Sequence, residues 1–140
     1  MIIKEPVVRV DTNTVLSEKG VDLQNSFILS YGSGKIATLG SSMISEMDSR
    51  GVVYGTKGRI EAEFIIDIAR LTVYAGGKTE VIERPAQTTG FEYELMSAVR
   101  AIEEGKIQPD EMPHSETVKM MRIMDGLRRR WGVAYPFEQE

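Results

Sequence analysis

The chain has 140 residues, of which 17 are basic and 21 acidic, giving a net charge of -4. This length predicts one domain, residues 1–140, with a substantial core, and the acidic balance argues against nucleic acid or an anionic membrane as a partner. The absence of cysteine excludes disulfides, thiolate metal sites and a cysteine nucleophile, and favours a reducing, cytoplasmic location; the sequence predicts neither a signal peptide nor a membrane span.

Short strands are predicted over the first 84 residues, which are rich in Val, Ile, Thr and Tyr interrupted by glycine. The rest of the chain follows helical spacing. Strands followed by helices predict an α+β fold, with an antiparallel sheet and helices on one face. The predicted strands are Val7 to Thr12, Val21 to Tyr31, Lys35 to Ser45, Val52 to Tyr54, Arg59 to Phe64, Arg70 to Ala75 and Lys78 to Arg84.

Two helices are predicted after the strands. The stretch "GFEYELMSAVRAIEEGK" aligns Leu95, Val99 and Ile102 on one stripe, as an amphipathic helix does. A second helix is predicted from about Ser115 to Trp131. Its basic end, Arg128 to Arg130, complements the helix dipole, which explains these residues without a bound phosphate.

The longest predicted hairpin divides its residues between two faces. A three-residue loop at 32–34 places Phe27, Leu29 and Leu39 on one apolar face, whereas a two-residue loop would mix apolar and polar residues. The opposite face is small and mostly polar. We call it the open face, and its predicted members are Ser26, Ile28, Thr38 and Ser42.

Two glycine-lysine stretches, "SYGSGKIA" and "YGTKGRI", suggest phosphate-binding loops but fit turns better. In the first, Leu29 stands where such a loop needs its first glycine, and Ile36 replaces the magnesium-binding hydroxyl. A phosphate loop also leads from a strand into a helix, whereas both stretches join predicted strands. We therefore predict hairpin turns, and no residue is predicted to bind a cofactor.

No catalytic or metal-binding residue is predicted. His114 is the single histidine, and its place just before a helix is typical of a surface or capping residue. Glu92 and Glu94 are two residues apart on a helix, so their carboxylates point in different directions and suit the helix dipole instead.

Three stretches together, "YGTKGRIEAE", "GFEYELMSAVRAIEEGK" and "MRIMDGLRRRWGVAYPFE", resemble the C-terminal domain of the Gfo/Idh/MocA oxidoreductases, particularly the dihydrodiol-dehydrogenase-like members. The resemblance covers nearly the whole chain. It implies a large, mainly antiparallel open sheet, of the glyceraldehyde-3-phosphate-dehydrogenase-like C-terminal type, that shapes a substrate pocket and forms a subunit interface. It also implies an N-terminal Rossmann domain, outside this chain, that binds NAD or NADP.

Two functions stay open on this basis. In the first, the chain is the C-terminal domain of an NAD(P)-dependent oxidoreductase that transfers hydride on a sugar, polyol or diol, and it is inactive alone because the family's glycine fingerprint and catalytic lysine and histidine precede this region. In the second, it is a standalone dimerising or small-ligand-binding module. The open face is predicted to form a homodimer by sheet-on-sheet packing.

Overall fold

A computed structural model describes residues 2–84 and 88–138. The chain divides into two compact units, Met1–Met47 with Met112–Glu140, and Asp48–Glu111. The predicted α+β class and antiparallel pairing are confirmed. The sequence predicts one large sheet, but hydrogen bonding divides the strands into a sheet of three and a sheet of four. Residues 43–50, which separate the two groups of strands along the chain, lie outside any strand.

The elements of each unit follow the predicted order, with small shifts at their ends. The first unit contains β1 (Val7–Leu16), β2 (Asp22–Tyr31), β3 (Ile36–Ser42), α2 (His114–Trp131) and a short 3-10 helix (Pro136–Glu138). The second contains β4 (Gly51–Gly55), β5 (Gly58–Ala62), β6 (Arg70–Ala75), β7 (Lys78–Glu83) and α1 (Glu92–Glu103). The largest difference is β1, which continues four residues beyond its predicted end because it stays paired with β2.

The register of β2 with β3 is the predicted one. Phe27 lies opposite Leu39, and Ile28 lies opposite Thr38. The turn between these strands includes Gly34 at a φ of +84°, a left-handed conformation that favours glycine. The three-residue loop deduced from the segregation of apolar residues is therefore confirmed.

The end of α2 lies on the apolar face of the three-stranded sheet. Thr12 pairs with Phe27, so both side chains point to that face. Trp131 Nε1 donates a hydrogen bond to Thr12 Oγ1 over 2.9 Å. Leu29 and Leu127 are buried in this unit, at 8% and 4% exposure. The predicted placement of a helix on this face is thus confirmed for α2.

In the second unit, β4 and β5 form a tight hairpin against β6. A Cβ atom added to Gly58 would lie only 2.0 Å from Tyr74 O, so the backbones approach too closely for any other residue. On one face of β5, Arg59 lies over the Tyr74 ring at 3.9 Å and its Nε donates to Glu61 at 2.7 Å. Ala62, on the other face, is buried. The two faces of β5 therefore differ: one carries the charged pair, and the other carries the buried Ala62.

Candidate functional site

The open face is the candidate site with the most support from both the sequence and the structure. Its central pair, Ile28 and Thr38, lies directly across the β2–β3 ladder, and Ser26 lies on the same side. All three side chains are exposed. Among the described elements, only β1 and β3 pair with β2, so the face is a three-stranded surface.

Ser42, the fourth predicted member, is half-buried and has a local role. Its Oγ accepts hydrogen bonds from Ile44 N at 3.2 Å, Ser45 N at 3.0 Å and Ser45 Oγ at 2.8 Å. These bonds fix the chain as it leaves β3. The structure therefore brings Ser26, Ile28 and Thr38 together, and places Ser42 at the margin of the open face.

The open face also includes residues of β1 that the sequence reading missed. Asp11 pairs with Ile28, and Asn13 with Ser26, so they share that side of the sheet. Arg9 Nη2 donates to Asp11 Oδ1 over 2.7 Å, which gives the β1 side of the face a charged margin. The alternation of Arg9, Asp11 and Asn13 with apolar or threonine neighbours was the signal that could have identified them.

The β3 side of the open face is more apolar. Ile36 is 65% exposed on the same side as Thr38, and Ile28 is 39% exposed. The methyl carbon of Met47 lies 3.4 Å from the point where a Cβ atom of Gly40 would stand, so Met47 packs over that glycine. The face therefore joins a small apolar strip to a polar margin, as protein interfaces commonly do.

The glycine-lysine turn between β2 and β3 is hydrogen-bonded to the carboxylate of Glu5. Glu5 accepts hydrogen bonds from the Lys35 ammonium and from Ser33 Oγ, the latter at 3.0 Å, and Ser33 N approaches its other oxygen at 3.3 Å. The bonds from Lys35 and Ser33 lower the pKa of Glu5. The turn joins two strands and is pinned by Glu5, which agrees with the predicted hairpin.

The carboxylates and histidine considered as catalysts lie at helix ends. His114 is exposed and is the first residue of α2, where Pro113 is the capping residue. Glu92 accepts hydrogen bonds from Gly90 N at 2.8 Å and Thr88 N at 3.1 Å, just before α1. Glu92 and Glu94 both lie in the first turn of α1, which agrees with their predicted role at the positive end of the helix.

The basic end of α2 is held by structural contacts. Arg128 donates to Val133 O at 3.0 Å and, through Nη2, to Glu138 Oε1 at 2.8 Å, while its guanidinium lies over the Tyr135 ring. The hydrogen bond from Arg128 lowers the pKa of Glu138. Arg130 donates to the backbone oxygen of Val10 on β1. The preference for a structural role over phosphate binding is thus consistent with the contacts.

Two depressions lie beside the helices. One, of about 450 Å³, is a polar groove between residues 10–14 of β1 and the last two residues of α2. The other, of about 100 Å³, lies beside α1, where Glu111 accepts from Ser97 Oγ at 2.7 Å and Lys106 pairs with Asp110 at 2.6 Å. Within residues 2–84 and 88–138, no three histidine or carboxylate side chains gather as metal ligands would.

Large apolar side chains are exposed on both helices. On α1, Leu95 is 67% and Ile102 is 75% exposed, although both belong to the helix's apolar stripe. Exposed apolar side chains on one stripe of a helix are typical of a surface that contacts other protein.

Comparison with known proteins finds relatives that are dehydrogenases. No family model matches the chain. It is 30% identical over 131 residues to the scyllo-inositol 2-dehydrogenase (NADP(+)) IolU of Bacillus subtilis, covering 93% of this chain and 40% of that protein. It is 26% identical over 129 residues to the trans-1,2-dihydrobenzene-1,2-diol dehydrogenase of Xenopus tropicalis, covering 86% of this chain and 39% of that one. The chain thus spans about two-fifths of the length of these relatives.

Solved structures share the fold. The aldose-aldose oxidoreductase of Caulobacter crescentus, crystallised with glycerol, superposes with a TM-score of 0.72 over 89% of this chain and 39% of that one, at 21% identity. The UDP-N-acetylglucosamine 3-dehydrogenase GnnA of Acidithiobacillus ferrooxidans superposes with a TM-score of 0.60 over 73% of this chain and 33% of that one, at 16% identity.

The fold is that of an oxidoreductase's C-terminal α+β domain. More specifically, the chain is similar to the C-terminal domain of the Gfo/Idh/MocA oxidoreductases, as the sequence resemblance indicated. No helix within the described residues is long and apolar enough to cross a membrane.

Proposed function

We propose that this chain shapes the substrate pocket and mediates oligomerisation in an NAD(P)-dependent oxidoreductase. The reaction of that enzyme is hydride transfer on a sugar, polyol or diol, with NAD or NADP bound by a separate Rossmann domain, in the cytoplasm. The observation that carries the proposal is the match to dehydrogenases over 93% of this chain but only 40% of the relative. In such enzymes the cofactor carries the hydride and the protein orients the substrate.

The exposed apolar surface supports the same proposal. Val118, Met121 and Met124 on α2 are 47%, 49% and 52% exposed, although they continue the stripe that ends at the buried Leu127. A stripe that is covered at one end and exposed at the other suits a domain that packs against further protein. The proposal supplies two partners that would cover this exposed surface: a Rossmann domain and a second copy of the chain.

The oligomer is proposed to form through the open face. Its exposed centre consists of Ser26, Ile28 and Thr38, and flat sheet faces with small side chains pack against each other at about 10 Å. Ile28 and Ile36 supply apolar contact, and the charged margin at Arg9 and Asp11 suits the rim of an interface.

An arginine in the centre of the open face tests this assignment. Thr38→Arg should convert a dimer to a monomer, because two guanidinium groups would then be buried near each other without partners. Thr79→Arg, the same change at an exposed position of β7, is the matched control and should leave the mass unchanged. Light scattering after size-exclusion chromatography measures both; a Thr38→Arg chain that keeps the dimer mass would overturn the assignment.

Further measurements test the division of labour between domains and the alternative of a standalone module. The purified chain should show no saturable NADH or NADPH binding in a fluorescence titration, and no turnover with scyllo-inositol and NADP. Tight binding by the chain alone would contradict the division of labour proposed here. A native cellular protein of this chain's own mass, seen by immunoblot, would favour the standalone dimerising or ligand-binding module instead.

A further inference from the structure

Among the strands that the structure describes, β1 pairs with β2 alone and forms an edge of the three-stranded sheet. Two hydrogen bonds on the β3 side of β2 show which backbone groups of β2 face β3 and which face β1. Tyr31 N donates to Lys35 O at 3.0 Å, and Leu23 O accepts from Met43 N at 2.7 Å. Odd-numbered residues of β2 therefore direct their backbone groups toward β3, and even-numbered residues direct theirs toward β1.

The open side of β1 follows from this alternation. The even-numbered residues of β2 pair with Arg9, Asp11, Asn13 and Val15. The backbone N–H and C=O groups of Val10, Thr12 and Thr14 consequently point away from the sheet. We call these groups the β1 edge. An exposed row of such groups is a template on which a strand of another molecule can pair.

Two groups of the β1 edge are already occupied. Arg130, at the end of α2, donates from Nη1 to the carbonyl oxygen of Val10. The side-chain oxygen of Asn13 accepts a hydrogen bond from the N–H of Thr14 at 2.9 Å. Between them, the Trp131 indole is hydrogen-bonded to the Thr12 side chain, which places α2 beside the middle of the edge.

The pairable length of β1 is also limited at both ends. Its register shifts between Val7 and Arg9, and again between Val15 and Leu16. Such bulges increase the local twist and interrupt a ladder, and natural sheets use them together with charged side chains to protect their edges. The regular stretch of β1 is therefore short, and its hydrogen-bonding groups are engaged at each end.

We propose that Arg130 and Asn13 guard the β1 edge against a second copy of this chain. Two antiparallel β1 strands related by a two-fold axis at Thr12 would pair Val10 of each copy with Thr14 of the other. That pairing needs the Val10 C=O and the Thr14 N–H, which are the two groups occupied. The guard restricts self-association to other surfaces and gives Arg130 a role that helix-dipole compensation does not supply.

A single-cysteine reporter tests the guard. The chain contains no cysteine, so Thr12→Cys introduces one thiol at the two-fold position. A hydrogen-bonded antiparallel pair has a Cα separation of about 5.5 Å, which suits a disulfide. All variants carry Thr38→Arg as well, so that association through the open face does not contribute.

Removing both guards should expose the edge. In Arg130→Met/Asn13→Ala, oxidation should give the disulfide-linked dimer about tenfold faster than in the guarded chain, since each released group can form one hydrogen bond with the second copy. Non-reducing electrophoresis over time measures the rate. An unchanged rate, with a native far-ultraviolet circular dichroism spectrum, would overturn the proposal.

Two controls separate the guard from net charge. Arg129→Met removes the same charge from the exposed neighbouring residue and should leave the rate unchanged. Arg130→Lys keeps a donor within reach of Val10 O and should also behave as guarded. Equal acceleration by Arg129→Met and Arg130→Met would show that charge repulsion alone limits association, and would refute the guard. If the double variant is unfolded, Arg130→Met and Asn13→Ala singly decide the question.

Discussion

Truncation of Leu127 tests whether α2 holds the first unit together. Leu127 is 4% exposed, the lowest fraction among the buried apolar residues of the described chain. Leu127→Ala removes contacts worth about 0.8 kcal/mol for each lost methylene and leaves a cavity, so the cost should be about 2.5–4 kcal/mol. Small domains are stable by only about 5 kcal/mol or slightly more, so the variant should lose around half of that stability.

The matched control lies on the same helix. Met124 has a similar size and is 52% exposed, so Met124→Ala should cost less than about 1 kcal/mol. Both substitutions change helix propensity by a similar, small amount. The difference between the variants therefore reports burial rather than the tendency of the sequence to form a helix.

Urea unfolding followed by tryptophan fluorescence measures both variants. Trp131 is the single tryptophan, and it lies one turn beyond Leu127 on α2, so its signal follows this unit. With a slope of about 1–1.5 kcal/mol per molar urea, Leu127→Ala should lower the midpoint by about 2 M or more, and Met124→Ala by less than about 1 M. Equal midpoints for the two variants would refute the packing of α2 on the three-stranded sheet.

Two further predictions concern β5 and the C-terminal helix. Gly58→Ala should cost about 3 kcal/mol in thermal or urea unfolding, because its Cβ would lie 2.0 Å from Tyr74 O; Gly126→Ala, in open space on α2, should instead be neutral or stabilising. Because the hydrogen bond from Arg128 lowers the pKa of Glu138 in the folded chain, the stability contributed by that contact is present above the ordinary glutamate pKa and is lost as the pH falls through the lowered value. NMR titration of the Glu138 carboxyl carbon measures that midpoint, and an ordinary glutamate value would contradict the contact.

Local pattern predicted the parts of the fold that depend on neighbouring residues. The β2–β3 register was predictable because one loop length alone separates Phe27 and Leu39 from Ser26 and Thr38. The helix positions followed from apolar spacing, and the hairpin turns from glycine chemistry. The extension of β1 was missed because Asn13 and its threonine neighbours are polar and lack the apolar alternation that marks a strand.

Contacts between distant parts of the chain could not be predicted in this way. Arg130 and Val10 are 120 residues apart, and the hydrogen bond between them depends on where α2 ends over β1. Glu5 reaches the turn at Ser33 and Lys35 across 28 and 30 residues. A single sequence indicates that such side chains are charged, but the fold decides which backbone or side-chain group each one meets.

The open face and the β1 edge have opposite properties, although both belong to the same three-stranded sheet. Ile28 and Thr38 are exposed at the centre of one face of the sheet. At the edge, by contrast, Arg130 and Asn13 occupy the groups that pairing would need. A sheet that blocks its edge and leaves one face uncovered is suited to association by stacking rather than by extension. That geometry favours closed oligomers, which suits the proposed role of the chain as an oligomerising domain beside a cofactor domain.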